Sequence, residues 1–141
     1  MRFSVGIDLG GTNIKAGLVS ESGKIIHDII TPTNADSGEK AIASRISHAI
    51  CQLIDQGNNF GVDLQDIVGI GIGAAGLIES VEGVVHFSPN FAGWYDIPLV
   101  GLVKEDLAHN SINCKISALP IVLENDGNAM AFGELCHGAG V

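Results

Sequence analysis

The chain has 141 residues, of which 46% are hydrophobic and 16% are charged, and its formal net charge is −9. This composition indicates a folded domain with one core rather than a disordered chain. The acidic charge and the lack of a Lys/Arg cluster argue against a nucleic-acid partner, since nucleic-acid binding depends on basic side chains that neutralise phosphates. No apolar run approaches the roughly 18 residues that span a bilayer, so no membrane partner is expected.

The cysteines and the start of the chain indicate a cytoplasmic protein. No signal peptide precedes the first apolar run. Cys51, Cys114 and Cys136 are far apart and have no metal-ligand spacing, so we expect reduced thiols.

The first predicted elements are two strands joined by a glycine turn. An apolar run over residues 3–7 leads into Asp8, and Gly10-Gly11-Thr12 then precedes a second apolar run, 14–19, which carries Lys15. Paired glycines let a backbone close around an anion, and an Asp beside an anion requires a metal ion or a metal-bound water. The stretch therefore predicts a Mg-nucleotide phosphate site. An ordinary hairpin, in which Asp8 and Thr12 satisfy backbone groups, is the alternative at this point.

The next predicted elements are a third strand and a long helix. Residues 24–31 are rich in Ile and follow a short turn, so they should pair antiparallel with the strand before them and end at Pro32. Asp36 and Glu39 have the spacing of a capping box. Gly57 is expected to end the helix. Helical spacing places these apolar residues on one face: Ile42, Ile46, Ala49, Ile50, Leu53 and Ile54.

Shorter predicted elements follow in the second half of the chain. Residues 67–73 form an apolar run too short for a helix, which predicts a buried strand parallel to the first. The remaining predicted elements are a hairpin at 77–87, a loop at 88–98, a helix at 99–109 with Leu99, Leu102, Val103 and Leu107 buried, a strand at 121–123 and a helix at 126–137. This order indicates an α/β fold, with a mixed sheet of about five strands and helices on both faces.

A glycine motif in the middle of the chain matches a known fingerprint. Gly71 to Gly76 fits the G-x-G-x-x-G pattern of dinucleotide-binding folds, with Asp96 further along the chain. That fingerprint requires a helix directly after the glycines. Residues 77–85 indicate a hairpin instead, so we reject a dinucleotide site and expect these glycines to let a loop approach a small ligand.

Asn125 and Asp126 lie where a predicted strand passes into a predicted helix. The carboxyl ends of strands, beside helix N-termini, are where α/β sheets bind ligands. Asp126 is either a helix N-cap or a general base that accepts the proton of a substrate hydroxyl as it attacks phosphorus, with Asn125 holding an adjacent hydroxyl. The residues alone leave both roles open.

Four motifs together resemble a known family. Residues 8–15 resemble the first phosphate motif of the sugar kinases and ATPases that share the actin/hexokinase fold. The ROK (repressor, ORF, kinase) family, and within it the bacterial glucokinases, has motifs similar to Gly73-Ala74-Ala75-Gly76-Leu77, to Ser88-Pro89-Asn90 with Gly93-Trp94, and to Glu124-Asn125-Asp126-Gly127-Asn128-Ala129 through Gly133-Glu134. The resemblance runs in register from Val5 to Gly140.

The resemblance implies a ribonuclease H-like fold of the actin/hexokinase ATPase type and a role for each motif residue. Asp8 would bind Mg²⁺, through water. The ATP phosphates would be lined by Gly10, Gly11, Thr12 and Lys15. The sugar would be contacted by Gly76, Asn90, Asn125 and Asp126, and Asp126 would be the general base.

The resemblance also implies how the whole protein is organised. Residues 1–141 would be the N-terminal lobe of a two-lobe kinase, with the C-terminal lobe absent from this chain. We expect the full-length protein to use ATP and Mg²⁺ to phosphorylate a hexose, converting glucose to glucose 6-phosphate, and the fragment alone to be inactive. Structural zinc is expected only in the C-terminal lobe, and the full-length protein is expected to be a homo-oligomer.

Two alternatives follow from the same family. The substrate could be fructose or an N-acetylhexosamine, which Phe91 and Trp94 would help to select by shaping the pocket. The function could instead be that of a sugar-sensing ROK transcriptional regulator. The first strand begins at residue 3 and leaves no room for a helix-turn-helix before it, which argues against the regulator.

Overall fold

The computed structural model describes residues 1–110 and 115–125. In chain order the strands and helices are β1 (Phe3–Leu9), β2 (Asn13–Ser20), β3 (Ile25–Pro32), α1 (Glu39–Gly57), β4 (Ile67–Ala74), β5 (Leu77–Glu79), β6 (Val84–Phe87), β7 (Tyr95–Ile97), α2 (Leu99–Asn110) and β8 (Ile121–Asn125). The strands form a five-stranded sheet with the order β3-β2-β1-β4-β8 and a three-stranded sheet with the order β5-β6-β7.

The five-stranded sheet is mixed, as predicted. β1, β2 and β3 are antiparallel neighbours joined by short turns, because two- to five-residue connections can join only antiparallel strands. β4 and β8 run parallel to β1. The carboxyl ends of β1, β4 and β8 therefore lie at the same edge of the sheet.

The core lies between one face of this sheet and the helices. Alternate residues of β1 (Phe3, Val5, Ile7 and Leu9) are buried, together with all six apolar residues predicted for the buried face of α1. A fully buried Leu or Ile side chain contributes about 1.5–3 kcal/mol relative to its exposed form, so this layer fixes α1 on the sheet. α2 packs against α1 and β8, with Leu99, Val103 and Leu107 buried and Leu102 half-buried.

The predicted capping box at the start of α1 is wrong. The helix begins at Glu39 with Gly38 at the N-cap position, and Gly38 has φ of 92° and makes no side-chain capping bond. Asp36 lies instead in a separate 3₁₀ turn, Ala35–Ser37. The left-handed backbone at Gly38 separates this turn from the helix, so Asp36 and Glu39 do not share one helical turn. A capping box does occur later, between Asp63 and Asp66.

The expected loop at 88–98 is wrong over its last part. β7 covers Tyr95–Ile97 and pairs with β6, so the predicted second hairpin extends to three strands. The segment has no alternating apolar pattern, and Asp96 has the positive φ of 52°, which strand-forming residues rarely adopt. Cross-strand pairing with β6, which is not visible in the local sequence, determines this strand.

Some predictions fall outside the described residues. They concern the helix expected at 126–137 and two cysteines, Cys114 and Cys136. The prediction that both sheet faces carry helices depends on that helix, so it falls outside the described residues as well. Cys51 is half-buried and forms no disulfide bond among the described residues. Within the described ranges no helix is long and apolar enough to cross a membrane.

Candidate functional site

The candidate site lies at the carboxyl edge of β1, β4 and β8. Leu9, Ala74 and Asn125 occupy one row across the three parallel strands. The turn after β1, the loop after β4 and the end of β8 therefore leave the sheet side by side. Open α/β sheets bind ligands at this edge, and each of these three segments carries residues that the sequence singled out.

The Gly10–Thr12 turn has two backbone donors with no partner among the residues that the structure describes. The N–H of Gly10 donates to Asn13 O at 3.0 Å, and a Cβ on Gly10 would lie 2.8 Å from that oxygen. Among the described residues nothing accepts a hydrogen bond from the N–H of Gly11 or Thr12. Gly10 thus shapes the turn, while Gly11 and Thr12 present the N–H groups that an anion needs.

Charged side chains flank this turn on one face of the sheet. Asp8 of β1 pairs directly with Lys15 of β2, and both are exposed. Gly73 of β4 separates Asp8 from Glu124 of β8 in the same row, so the two carboxylate residues lie about 10 Å apart at the usual strand spacing. Glu124 was not among the predicted site residues, although strict alternation along β8 places it on the opposite face from the buried Leu123.

Asn90 lies against the Gly10–Thr12 turn. A Cβ on Gly11 would lie 3.2 Å from Asn90 Cγ, so the two residues are in close contact. The N–H of Asn90 donates to the buried Ser88 Oγ at 3.3 Å. The structure thereby brings a predicted sugar contact next to a predicted phosphate contact.

Gly76 and Asn125 also meet. Asn125 Nδ2 donates to Gly76 O at 3.3 Å, which orients the amide at the end of β8. Gly76 has φ of 122°, and a Cβ there would overlap Phe87 O and lie 2.9 Å from Ser88 Cα. Only glycine fits this position, where the loop after β4 passes beneath the segment that carries Asn90.

Two further expectations have different outcomes. Phe91 and Trp94 are buried and stacked, with ring centroids 4.2 Å apart, so they support the Asn90 loop from the core rather than lining an open pocket. Asp126, the predicted general base, lies outside the described residues. The structure therefore brings together all the predicted site residues except Asp126.

These features define an α/β domain in which a glycine turn with exposed backbone donors lies beside amide side chains. The sequence model described as "ROK family" matches residues 4–140. The chain belongs to the ROK family. Its mixed five-stranded sheet with helices is the actin/hexokinase-type fold of the ROK sugar kinases, as the resemblance implied.

Curated relatives and solved structures of this family cover almost all of the chain. Glucokinase from Thermotoga maritima is 36% identical over 136 residues, which cover 96% of this chain and 37% of the relative. The crystal structure of a ROK family glucokinase from Streptomyces griseus, in complex with glucose and AMPPNP, has a TM-score of 0.70 and 34% identity, covering 99% of this chain and 38% of that chain. The chain thus spans under two-fifths of the length of these relatives.

A regulator is also among the relatives. The xylose repressor of Bacillus subtilis is 32% identical over 140 residues, which cover 97% of this chain and 32% of the repressor. The relatives of this chain therefore include both glucokinases and a repressor.

Proposed function

We propose that this chain is the N-terminal lobe of an ATP-dependent hexose kinase that converts glucose to glucose 6-phosphate. The observation that carries the proposal is the contact between Gly11 and Asn90. The contact supports the proposal because a turn with exposed backbone N–H groups then lies directly beside a side chain that can hydrogen-bond a sugar hydroxyl. Phosphoryl transfer requires this juxtaposition, because most of its catalysis comes from positioning and charge stabilisation.

The nucleotide side of the proposed site uses backbone donors and one cation. The N–H groups of Gly11 and Thr12 would bind phosphate oxygens, and Lys15 would add a positive charge. Asp8 and Glu124 fit a Mg²⁺ ion held through water, since Mg²⁺ keeps several waters and takes few protein carboxylates. Among the described residues no cluster of three or more His, Cys, Asp or Glu side chains surrounds a point, which agrees with a cation brought by the nucleotide. Bound Mg²⁺ would neutralise phosphate charge.

The sugar side uses the amides of Asn90 and Asn125, with Gly76 orienting Asn125. Asp126 directly follows Asn125 in the chain, and Asn125 is the last residue of β8. There it would accept the proton of the attacking sugar hydroxyl, a poor nucleophile that needs a general base.

The test is a coupled assay of the full-length protein with glucose, fructose and N-acetylhexosamines. We expect ATP-dependent phosphorylation with the highest kcat/KM for glucose, and no measurable turnover by the 141-residue chain. The Asp126→Asn variant should lose phosphoryl transfer while glucose binding, measured by calorimetry, survives. An Asp126→Asn enzyme with wild-type kcat would reduce Asp126 to a helix cap.

A sugar-responsive regulator is the second candidate, favoured by the similarity to the xylose repressor. Salt-sensitive binding of the full-length protein to duplex DNA, released by a sugar, would favour it over the kinase. A cytoplasmic location, homo-oligomerisation and structural zinc in a C-terminal lobe belong to the kinase proposal.

A further inference from the structure

Thr33 lies behind the Gly10–Thr12 turn and holds both of its ends. Its side chain is fully buried, and its Oγ1 donates to Gly10 O at 2.7 Å. Its backbone N–H donates to Thr12 O at 2.9 Å. One residue at the end of β3 therefore makes two hydrogen bonds to a turn that precedes it by about twenty residues in sequence.

Thr33 is itself held from α1. Arg45 Nη1 donates to Thr33 O at 2.8 Å and to Ser37 Oγ at 2.6 Å, and Ser37 Oγ donates in turn to Asn34 O at 2.6 Å. Hydrogen bonds from a guanidinium are stronger than those between neutral groups. The 33–37 segment is thus fixed to a helix that the core holds on the sheet.

The hydrogen bond from Thr33 to Gly10 O also determines the direction in which the Gly11 N–H points. Gly10 C=O and Gly11 N–H belong to one trans peptide, in which the two groups point in opposite directions; the described residues contain no cis peptide. When Thr33 binds the carbonyl of Gly10 from behind, the N–H of Gly11 must point away from Thr33, out of the turn. That N–H is one of the two donors with no partner among residues 1–110 and 115–125.

We propose that Thr33 is a positioning residue that aims the Gly11 N–H at a nucleotide phosphate, and that Arg45 keeps Thr33 in place. This proposal rests on the proposed kinase function. If the Thr33 hydroxyl had a merely structural role, it would only satisfy a buried polar group. Its loss would then lower stability and would affect the use of ATP and of glucose equally.

The test compares Thr33→Val, which removes the hydroxyl at nearly constant shape, with Thr33→Ser, which keeps it, in the full-length protein. Thr31→Val is the matched control, because Thr31 is half-buried in β3, two residues before Thr33, and makes no hydrogen bond to the Gly10–Thr12 turn. We expect Thr33→Val to lower kcat/KM for ATP about tenfold, as for the loss of one buried hydrogen bond. Glucose affinity should stay within about twofold, and Thr33→Ser should restore most of the loss.

Three outcomes would overturn the proposal: an unchanged kcat/KM for ATP in Thr33→Val, an equal loss of glucose affinity, or no rescue by Thr33→Ser. If Thr33→Val does not fold, Arg45→Met replaces it, with Arg45→Lys as the variant that keeps the charge. Arg45→Met should then weaken ATP use selectively, and equal effects on both substrates would contradict the proposal.

The proposed function can fail separately. If the wild-type protein phosphorylates no sugar, the kinase proposal fails, and the support by Thr33 is measured by NMR on the backbone amides of Gly11 and Thr12. Thr33→Val should then lower their order parameters from about 0.85, typical of rigid backbone, toward about 0.6. Unchanged order parameters would refute the positioning role.

Discussion

Gly76→Ala should be the most damaging single-methyl substitution at the candidate site. The new Cβ would overlap Phe87 O and lie 2.9 Å from Ser88 Cα, and the backbone has φ of 122°. The strained φ costs about 1–3 kcal/mol. Overpacking against backbone atoms, which cannot rotate away, adds about 1–3 kcal/mol. We therefore expect the free energy of unfolding to fall by about 2–6 kcal/mol.

Two other glycines serve as controls, one with the backbone contribution alone and one with neither contribution. Gly93 has φ of 77° and nothing within 4 Å of an added Cβ, so Gly93→Ala should show the backbone cost alone, about 1 kcal/mol. Gly101 lies in the interior of α2 with no neighbour within 4 Å of an added Cβ and no positive φ. Gly101→Ala should raise the free energy of unfolding by about 0.5–1 kcal/mol, since alanine favours a helix.

The assay is urea unfolding followed by the fluorescence of Trp94, the single tryptophan of the chain, which is buried. Equal m-values across the series would show that the variants unfold from comparably compact states. If Gly76→Ala matches Gly93→Ala within about 0.5 kcal/mol, the close approach between the loop after β4 and the Phe87–Ser88 backbone does not constrain this site.

Three more predictions test the core and the site. Leu53→Ala, in the fully buried face of α1, should lower the free energy of unfolding by about 2–5 kcal/mol. Val81→Ala, at an exposed position, should lower it by less than about 0.5 kcal/mol. Urea titration measures both values. Gly11→Ala would bring a Cβ to 3.2 Å from the Asn90 side chain, so it should lower kcat/KM for ATP and for glucose together in the full-length enzyme. Gly6→Ala is the control: its Cβ would have open space around it, so both values should stay unchanged. Lys15→Met should raise KM for ATP about tenfold with glucose affinity unchanged, and equal losses for both substrates would place Lys15 outside the phosphate site.

The fold was predictable where the signal is periodic and local. The apolar residues of α1 recur with the helical period, and all six predicted positions are buried. The short turns between β1, β2 and β3 allow only antiparallel pairing. The start of α1 was not predictable in the same way, because the positive φ of Gly38 interrupts a spacing that otherwise fits a capping box.

The site was predictable as a set of motifs but not as a network. Gly11, Asn90 and Asn125 belong to motifs whose residue types indicate their chemistry. Thr33 has no such motif, and its partner Gly10 is 23 residues away. A side-chain to main-chain bond of this range depends on how β3 lies beside β2, so it becomes visible only in three dimensions.

Sheet register and the support from Thr33 determine different properties of the site. Ile72 and Leu123 are fully buried and directly paired, and this core contact fixes β8 on β4. A slip of one residue would move Asn125 by about 3.3 Å and turn it to the other face of the sheet. Register thus sets the distance between the Gly10–Thr12 turn and Asn125, whereas the direction of the Gly11 N–H depends on one hydrogen bond. Core substitutions should therefore impair both substrates together, and loss of the Thr33 hydroxyl should impair the nucleotide alone.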